Sequence, residues 1–345
     1  MHRRSLLTAL AGLSAVAVLG QPLPAHAARP LRVLVATNEP WGTYHLGSLL
    51  DEAAGARPAG RWQIALVVPD RSNVTATDPV PVVTLDEAAA WGADVLVVNG
   101  ATAWPTTVVA QLPGLPVVAS SLAYLNPVEE PGAAAIRPRL VAMTAGSSAE
   151  AEVFAAHFGL PADRVQVVGN PGLDDIPAYA PVAGTALIAT SVTRPSETGG
   201  AAPGAEVLLD AAAALADRGW NIRVGLHPRE DASLWSAYET ATEGTVTASA
   251  TAEVTVGIPG SVFPKIAAIG CPLVGVVAEG LTVPDYILSV SARARTVAEV
   301  VAAVEARWRP SQDVLEAAVG PLGGSGDRLW KAWRKSAAPA GLSRR

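Results

Sequence analysis

A single cysteine, Cys271, stands in a chain of 345 residues. One thiol makes an intramolecular disulfide impossible and excludes a cysteine-rich zinc site. Aromatic residues make up only 5% of the chain and charged residues 16%. Positive charge is in deficit, with 25 basic residues against 31 acidic ones and a formal net charge of −6. A nucleic-acid partner wants a basic face, so that class is excluded. No internal repeat of about 20 to 50 residues is present, which excludes solenoids. No acidic Asp-x-Asp cluster appears either, so neither a metal ion nor another cofactor is implied. After residue 27 no apolar run is long enough to span a bilayer, which takes about 20 residues.

The first 27 residues read as a targeting segment. Arg3-Arg4 leads into Ser5-Leu6-Leu7, an apolar run continues to Leu19, and Ala25-His26-Ala27 closes it. That is a charged region, an apolar region and a small-x-small cleavage site, in the order of a signal peptide. Paired arginines ahead of leucines predict export by the twin-arginine route, extracytoplasmic or secreted. The apolar run is too short for a membrane anchor. Without this segment 23 basic residues face 31 acidic ones, a net charge of −8. The rest of the chain exceeds what one core usually serves, so two domains are expected.

From Leu31 onward short apolar runs alternate with helical stretches, the pattern of parallel βαβ units. Strands are predicted at Leu31–Ala36, Trp62–Val68, Ala93–Val98, Pro116–Ala119, Leu140–Thr144 and Arg164–Val168. Ser147 precedes a helix that stops near Phe158, with Glu150 and Glu152 in its first turn and Gly159 as its C-cap. Gly169-Asn-Pro-Gly172 then breaks the rhythm, and a Pro- and Ala-rich passage to Gly184 reads as a linker. Strands resume at Thr185–Thr190, Asn221–Leu226, Glu253–Val256 and Pro272–Val277. Helices are predicted at Ala205–Arg218 and Ser261–Ile269, and from the cap Thr296 to Trp308. The expected division is a first domain over 28–178, a second over 179–310, a helical segment over 311–335 and a disordered tail over 336–345.

Four segments could carry chemistry. Gly260-Ser261 ends a strand and opens a helix, where free amides attract a phosphate and glycine permits close approach; Ser261 serves equally well as a simple N-cap. His227-Pro-Arg229 follows another strand, where the ends of parallel strands border a ligand crevice, although a His-Pro pair is also an ordinary turn. Thr190 to Arg194, after the first strand of the second half, is a third polar loop on this pattern. In the first half, the loop from Thr37 to His45 holds two candidate bases, Glu39 and His45. Asn170 and Pro171 fall at the hinge, with Asn170 as its cap. Asp174 and Asp175 read as solvated linker acids.

Three runs resemble the glycosyltransferase-B superfamily, in the branch of CDP-glycerol glycerophosphotransferases, Kdo- and lipid-A-type transferases and UDP-N-acetylglucosamine 2-epimerases. They are Ser148–Asp174 with its Val-Gly-Asn-Pro-Gly step, Gly225-Leu-His-Pro-Arg-Glu230, and Gly260-Ser-Val-Phe-Pro-Lys-Ile-Ala-Ala-Ile-Gly-Cys-Pro272. The resemblance covers residues 31 to 310. It implies an α/β chain of two Rossmann-like domains facing across a cleft, with the acceptor on the first and the donor on the second. It also implies a UDP- or CDP-linked donor at Gly260, Ser261, His227 and Arg229, and a glycan or polymer acceptor beside Glu39 and His45.

The pattern is broken in several places: the paired histidines of the glycerophosphotransferases and the His/acid set of the epimerases have no clear counterparts, a Gly-rich first loop is missing, and the ribose acid is lost. The superfamily carries a ribose-binding Glu six residues before the Gly of the Gly-x-Pro step, and Pro264 stands there instead. Lys265, next to it, could meet a phosphate or lie in solvent. Two readings follow. The leading one is an enzyme that transfers a sugar or glycerol-phosphate unit to an envelope polymer. The other is an exported protein that binds a glycan or nucleotide without turnover, on a degenerate form of the same fold.

Overall fold

The computed structural model describes residues 30–337, apart from 38–45, 48, 51–61, 70, 73, 100–102, 123, 125, 128–131 and 196–199. The targeting segment therefore lies outside the described residues, as do Glu39, His45 and the tail 338–345.

Two all-parallel sheets organise the chain. The first contains β1 (Leu31–Ala36), β2 (Trp62–Val67), β3 (Val82–Val83), β4 (Val95–Asn99), β5 (Val117–Ser121), β6 (Leu140–Ala145) and β7 (Val165–Val167), in the order β3-β2-β1-β4-β5-β6-β7. The second contains β8 (Val182–Ala189), β9 (Asn221–Gly225), β10 (Glu239–Thr240), β11 (Ala252–Gly257), β12 (Leu273–Val276) and β13 (Ala292–Ala294), in the order β10-β9-β8-β11-β12-β13. Both sheets thus reverse their order between first and fourth strands, at β1/β4 and β8/β11. The inner strands are nearly continuous apolar runs because helices cover both faces of a parallel sheet.

Alternate residues of each strand feed separate cores, as the period of two requires. Val33 and Val35 point into one cluster of the first sheet, and Leu34 and Ala36 into the other. In the second sheet Ile188 and Val224 pack against Leu208 and Val300. Its opposite face joins Leu187, Phe263 and Ile266 to Tyr124, Leu173 and Val319. That fourth cluster contains side chains from both halves, so one apolar seam joins them.

The helix Ser148–Phe158 begins and ends where its local signals put it. Ser147 accepts from the Glu150 amide, and Gly159 closes the helix in the left-handed region. The last helical segment, read from the sequence as an amphipathic helix with a break at Gly320 to Gly326, does break there and runs two residues further than expected. It forms two helices, Gln312–Val319 and Ser325–Ala337, so Ser336 and Ala337 belong to a helix rather than to the tail. The final helix returns to the first sheet, where Leu329, Trp330 and Trp333 are buried and Trp330 stacks on Trp62 with centroids 4.2 Å apart. Asp174 is a helix cap rather than a solvated acid: its two oxygens accept the Ser325 and Gly326 amides at 3.0 and 3.1 Å. A carboxylate at a helix start satisfies free amides and complements the helix dipole.

Candidate functional site

The carboxyl ends of β8, β9 and β11 lie side by side on one edge of the second sheet. With strands about 4.8 Å apart, the loops after β9 and β11 stand about 10 Å from each other, on either side of β8. The reversal of strand order at β8/β11 opens a crevice between their loops, the usual ligand position in an open parallel sheet.

Two helix starts converge there. The helix Val262–Ile269 begins after Gly260-Ser261, and Ser261 has helical backbone angles (φ −59°, ψ −18°) with no capping bond from its hydroxyl. Ser261 occupies the cap position without acting as the cap. A Cβ added to Gly260 would meet only the Ile258 carbonyl at 3.9 Å, so the backbone there is open to close approach. The helix Ala205–Ala216 begins at Gly204, again with no side-chain cap. A Cβ on Gly204 would lie 3.5 Å from both Ile258 and Ala278, which brings this start beside the loops after β11 and β12. The Ala205 and Phe263 amides donate to the Ala202 and Gly260 carbonyls and Pro264 has no N–H, so each start offers an anion chiefly the positive end of its helix dipole. Gly204 was not among the residues singled out from the sequence; its signal is the Pro203-Gly204 pair ahead of an uncapped apolar helix. Glu279 is exposed on the loop after β12, next to Ala278.

The polar loops on the β9 side are tied together. The His227 amide donates to Thr190 Oγ1 at 2.7 Å. The Glu230 carboxylate accepts from Thr193 Oγ1 at 2.6 Å, from the Thr193 amide at 3.3 Å and from the Asp231 amide at 2.8 Å. Glu230 is thereby spent on holding the loops. The Arg229 amide donates to His227 Nδ1 at 3.2 Å, so the neutral ring carries its proton on Nε2. Burial, followed by the positive charge of Arg229, pushes the His227 pKa below the usual histidine range, and Glu230 opposes the shift only weakly. His227 therefore offers a neutral N–H donor, and Arg229 is exposed beside it.

Lys265 is separated from this group. Its position in the helix is only half-buried overall, but loss of hydration lowers its pKa, and the Glu150 carboxylate acts in the opposite direction. Pro264 is buried in the first turn. Glu150 itself, read from sequence as a first-turn acid, is fully buried and accepts from Ser121 Oγ (2.8 Å), the Tyr124 amide (2.8 Å) and the Gly146 amide (3.0 Å). Tyr124 has the left-handed backbone that non-glycine residues avoid (φ 56°), and its hydroxyl donates to the Val319 carbonyl at 2.8 Å. Asn170 is buried at the passage between the halves, where it accepts from the Gly172 amide and donates to the Leu122 carbonyl at 2.7 Å. Pro171 opens a short 3-10 turn there. The structure thus gathers His227, Arg229, Gly260 and Ser261 on one edge, and sets Lys265, Asn170 and Pro171 at the seam between halves. Among the described residues no group of three or more His, Cys, Asp or Glu could hold a metal, and no helix is long and apolar enough to cross a membrane.

No protein-family model and no curated protein sequence matches the chain; the likeness to known proteins is carried by structure. The chain is similar to UDP-GlcNAc 2-epimerase from Methanocaldococcus jannaschii, with a TM-score of 0.58 and 14% identity over 89% of this chain and 99% of that one. The chain has the glycosyltransferase-B fold. UDP-GlcNAc 2-epimerase from Neisseria meningitidis bound to UDP-GlcNAc is similar at a TM-score of 0.57, with 11% identity over 88% of this chain and 100% of that one. The wall teichoic acid polymerase TagF is similar at a TM-score of 0.55, with 11% identity over 89% of both chains. At these identities the shared property is the glycosyltransferase-B fold.

Proposed function

We propose that the protein binds a nucleotide-activated donor through its diphosphate at the carboxyl edge of the second sheet. It then transfers a sugar or glycerol-phosphate unit to an envelope glycan or polymer. The observation that carries the reading is the convergence of two uncapped helix starts, at Gly204 and Ser261, in the crevice beside His227. Diphosphate charge is met there by amide dipoles, the His227 Nε2–H and Arg229, while Glu279 is available to accept a hydroxyl of the donor. The chemistry of such a site is positioning and neutralisation of the leaving diphosphate. A similar protein has been crystallised with UDP-GlcNAc, and another is a wall teichoic acid polymerase. The acceptor belongs to the first domain, beside the loop that carries Glu39 and His45.

The second reading, capture of a nucleotide or glycan without turnover, is favoured by Pro264, which puts no hydroxyl-binding side chain in the first turn of the Val262–Ile269 helix. Thermal unfolding of the protein with UDP, CDP, GDP and their sugar or glycerol conjugates tests the binding site. A rise in Tm with one nucleoside diphosphate, and none with the nucleoside alone, supports it. Turnover of the stabilising conjugate separates the transferase from the binding protein. Absence of any shift, with stabilisation by envelope glycan alone, overturns the diphosphate site. Export by the twin-arginine route is part of the proposal, and a reporter active only outside the cytoplasm, fused to residues 1–35, tests it; the signal is expected to depend on Arg3-Arg4.

A further inference from the structure

The last helix carries a charge of the sign that the chain as a whole lacks. Ser325–Ala337 contains Arg328, Lys331, Arg334 and Lys335 against Asp327 alone, in a protein of formal net charge −6. Arg328 is spent on the chain itself, donating to the Val168, Gly323 and Pro321 carbonyls. Asp327, Lys331 and Arg334 are exposed, and their spacings of four and three set them along one face of the helix. Trp330 belongs to the same stripe but is buried, stacked within 5° of parallel on the half-buried Trp62. Its indole N–H has no acceptor among the described residues. These five side chains, of Trp62, Asp327, Trp330, Lys331 and Arg334, line a cavity of about 290 Å³. Trp62 opens β2, so the cavity lies at the amino edge of the first sheet, opposite the edge where the parallel strands end.

We propose that this cavity binds a sugar unit that carries a carboxylate or a phosphate. The C–H face of the sugar packs on Trp62, Asp327 accepts one of its hydroxyls, and the anionic group is held by Lys331 with Arg334 beside it. Aromatic surface with a few placed polar groups is the usual make-up of a small-ligand pocket. A charged donor also bonds an anionic oxygen more strongly than a neutral donor does. The volume stands at the small end of ligand pockets, about 300–1,000 Å³, which suits one sugar unit better than a whole nucleotide sugar. A buried donor left without an acceptor is costly, so a sugar oxygen that reaches the Trp330 N–H removes a cost the empty cavity carries. A bilayer surface fits less well. The apolar stripe of this helix is turned inward, with Trp330 at 2% and Trp333 at 0% exposure, and an interfacial helix needs that stripe for the lipid. The site is separate from the donor crevice and does not rest on the reading of Ser261.

The test uses the full chain, with glucose, glucuronic acid and glucose 6-phosphate as probes. Saturation-transfer NMR reads which ligand protons touch aromatic side chains, and the same titrations give Kd. Transfer to the C–H protons of an anionic sugar is expected, with glucose bound at least about threefold more weakly for want of the ion pair. Lys331→Glu replaces an attraction by a repulsion at an exposed position, so Kd for the anionic sugar should rise about tenfold while that for glucose is unchanged. Lys331→Arg should bind as the wild type does. Trp62→Leu, apolar but without a ring, should abolish the saturation transfer, with circular dichroism showing that the fold is kept; if it is not kept, the Lys331 variants decide. Binding of glucuronic acid alone identifies a uronate, binding of glucose 6-phosphate alone a sugar phosphate, and either supports the site. Saturating UDP should leave these Kd values unchanged. Competition by UDP would move the sugars into the donor crevice and overturn the site, as would a Lys331→Glu variant that binds like the wild type, or no transfer to any probe. Co-sedimentation with vesicles of phosphatidylcholine and phosphatidylglycerol that depends on Lys331, without sugar binding, would give this face to a lipid surface instead. If the wild type binds no nucleoside diphosphate, the donor reading fails and this site is still decided by the sugar titrations.

Discussion

Replacing Ser261 by aspartate should move stability and binding in opposite directions. The residue stands at a helix start, is half-exposed, and makes no capping bond. A negative charge beside the first turn complements the helix dipole, worth about 0.3–1 kcal/mol at such exposure. In the absence of ligand Ser261→Asp is therefore expected to raise Tm by about 1–3 °C. With a diphosphate in the crevice the same carboxylate repels it. One pair of like charges about 5 Å apart, at an effective dielectric of about 40, costs about 1.7 kcal/mol. Loss of the hydroxyl as a donor adds about 1 kcal/mol. Together these weaken binding about a hundredfold.

Titration calorimetry with UDP and unfolding without it, in one buffer, give both signs. Ser261→Asn, close in size and neutral, should cost less than about tenfold, because only the hydrogen bond is altered. The difference between the two variants should shrink at high salt, where exposed charges are screened. An aspartate variant that is stabilised yet binds UDP as the wild type does would mean that this helix start faces no ligand. A destabilised variant would mean that Ser261 is not free.

Other expectations follow from the same geometry. Asp174→Ala removes the cap of the last helix and should cost about 1–2 kcal/mol in urea unfolding, with Asp174→Asn recovering part of it. The folded pKa of His227 is lowered, so its contribution is complete above about pH 6.5 and lost as pH falls through the lowered value; Tm of the wild type relative to His227→Gln, measured from pH 8 to 5, should decline only below about 6.5. Gly320 has φ 85° and ψ −173°, and a Cβ there would run into the Gly146 carbonyl, so Gly320→Ala should cost at least about 3 kcal/mol. Gly323, at φ 69° with open space around it, is the control, and Gly323→Ala should cost only about 1–2 kcal/mol of backbone strain in the same unfolding assay. Glu279→Gln is expected to weaken UDP binding about tenfold without affecting pyrophosphate, since a nucleoside hydroxyl needs an acceptor and a phosphate does not.

Much of the frame was legible because its signals are local. Leu31–Ala36 is apolar apart from Arg32, and the first sheet takes it as β1 over the same residues. Ser147 and Gly159 mark both ends of one helix by their own chemistry, and Thr296 accepts from the Glu299 amide as a capping residue should. What escaped depends on partners elsewhere. β3 and β10 are two residues long and exist only through pairing with β2 and β9. An amphipathic stripe tells that Ser325–Ala337 buries a face, not that the face lands on β4 to β6 of the other domain. Glu150 looked like a first-turn acid because it is one; its burial comes from Ser121, Tyr124 and Gly146, whose approach no spacing reveals. One omission was avoidable: Thr84 and Glu87 form a capping box that the sequence displays openly, at the start of the helix Leu85–Trp91.

The candidate site was half-legible for a related reason. Strand ends are readable, and in a parallel sheet all of them fall on one edge, so His227 and Ser261 could be assigned to the same crevice before any contact was known. Orientation along a helix is readable only when the partner surface is. Ser261 and Lys265 lie four residues apart on one helix, spacing that makes side chains neighbours, yet Ser261 stands at the helix start while the body of the same helix packs on the seam through Phe263 and Ile266. That helix is packed at its side against the first domain and open at its start. The stretch from Ser261 to Ile269 thus puts the proposed diphosphate site and the packing between the halves on one element. The arrangement also explains why proteins of this fold can differ in chemistry while the frame stays constant: the frame fixes the crevice, and a few side chains at its rim decide what is held there.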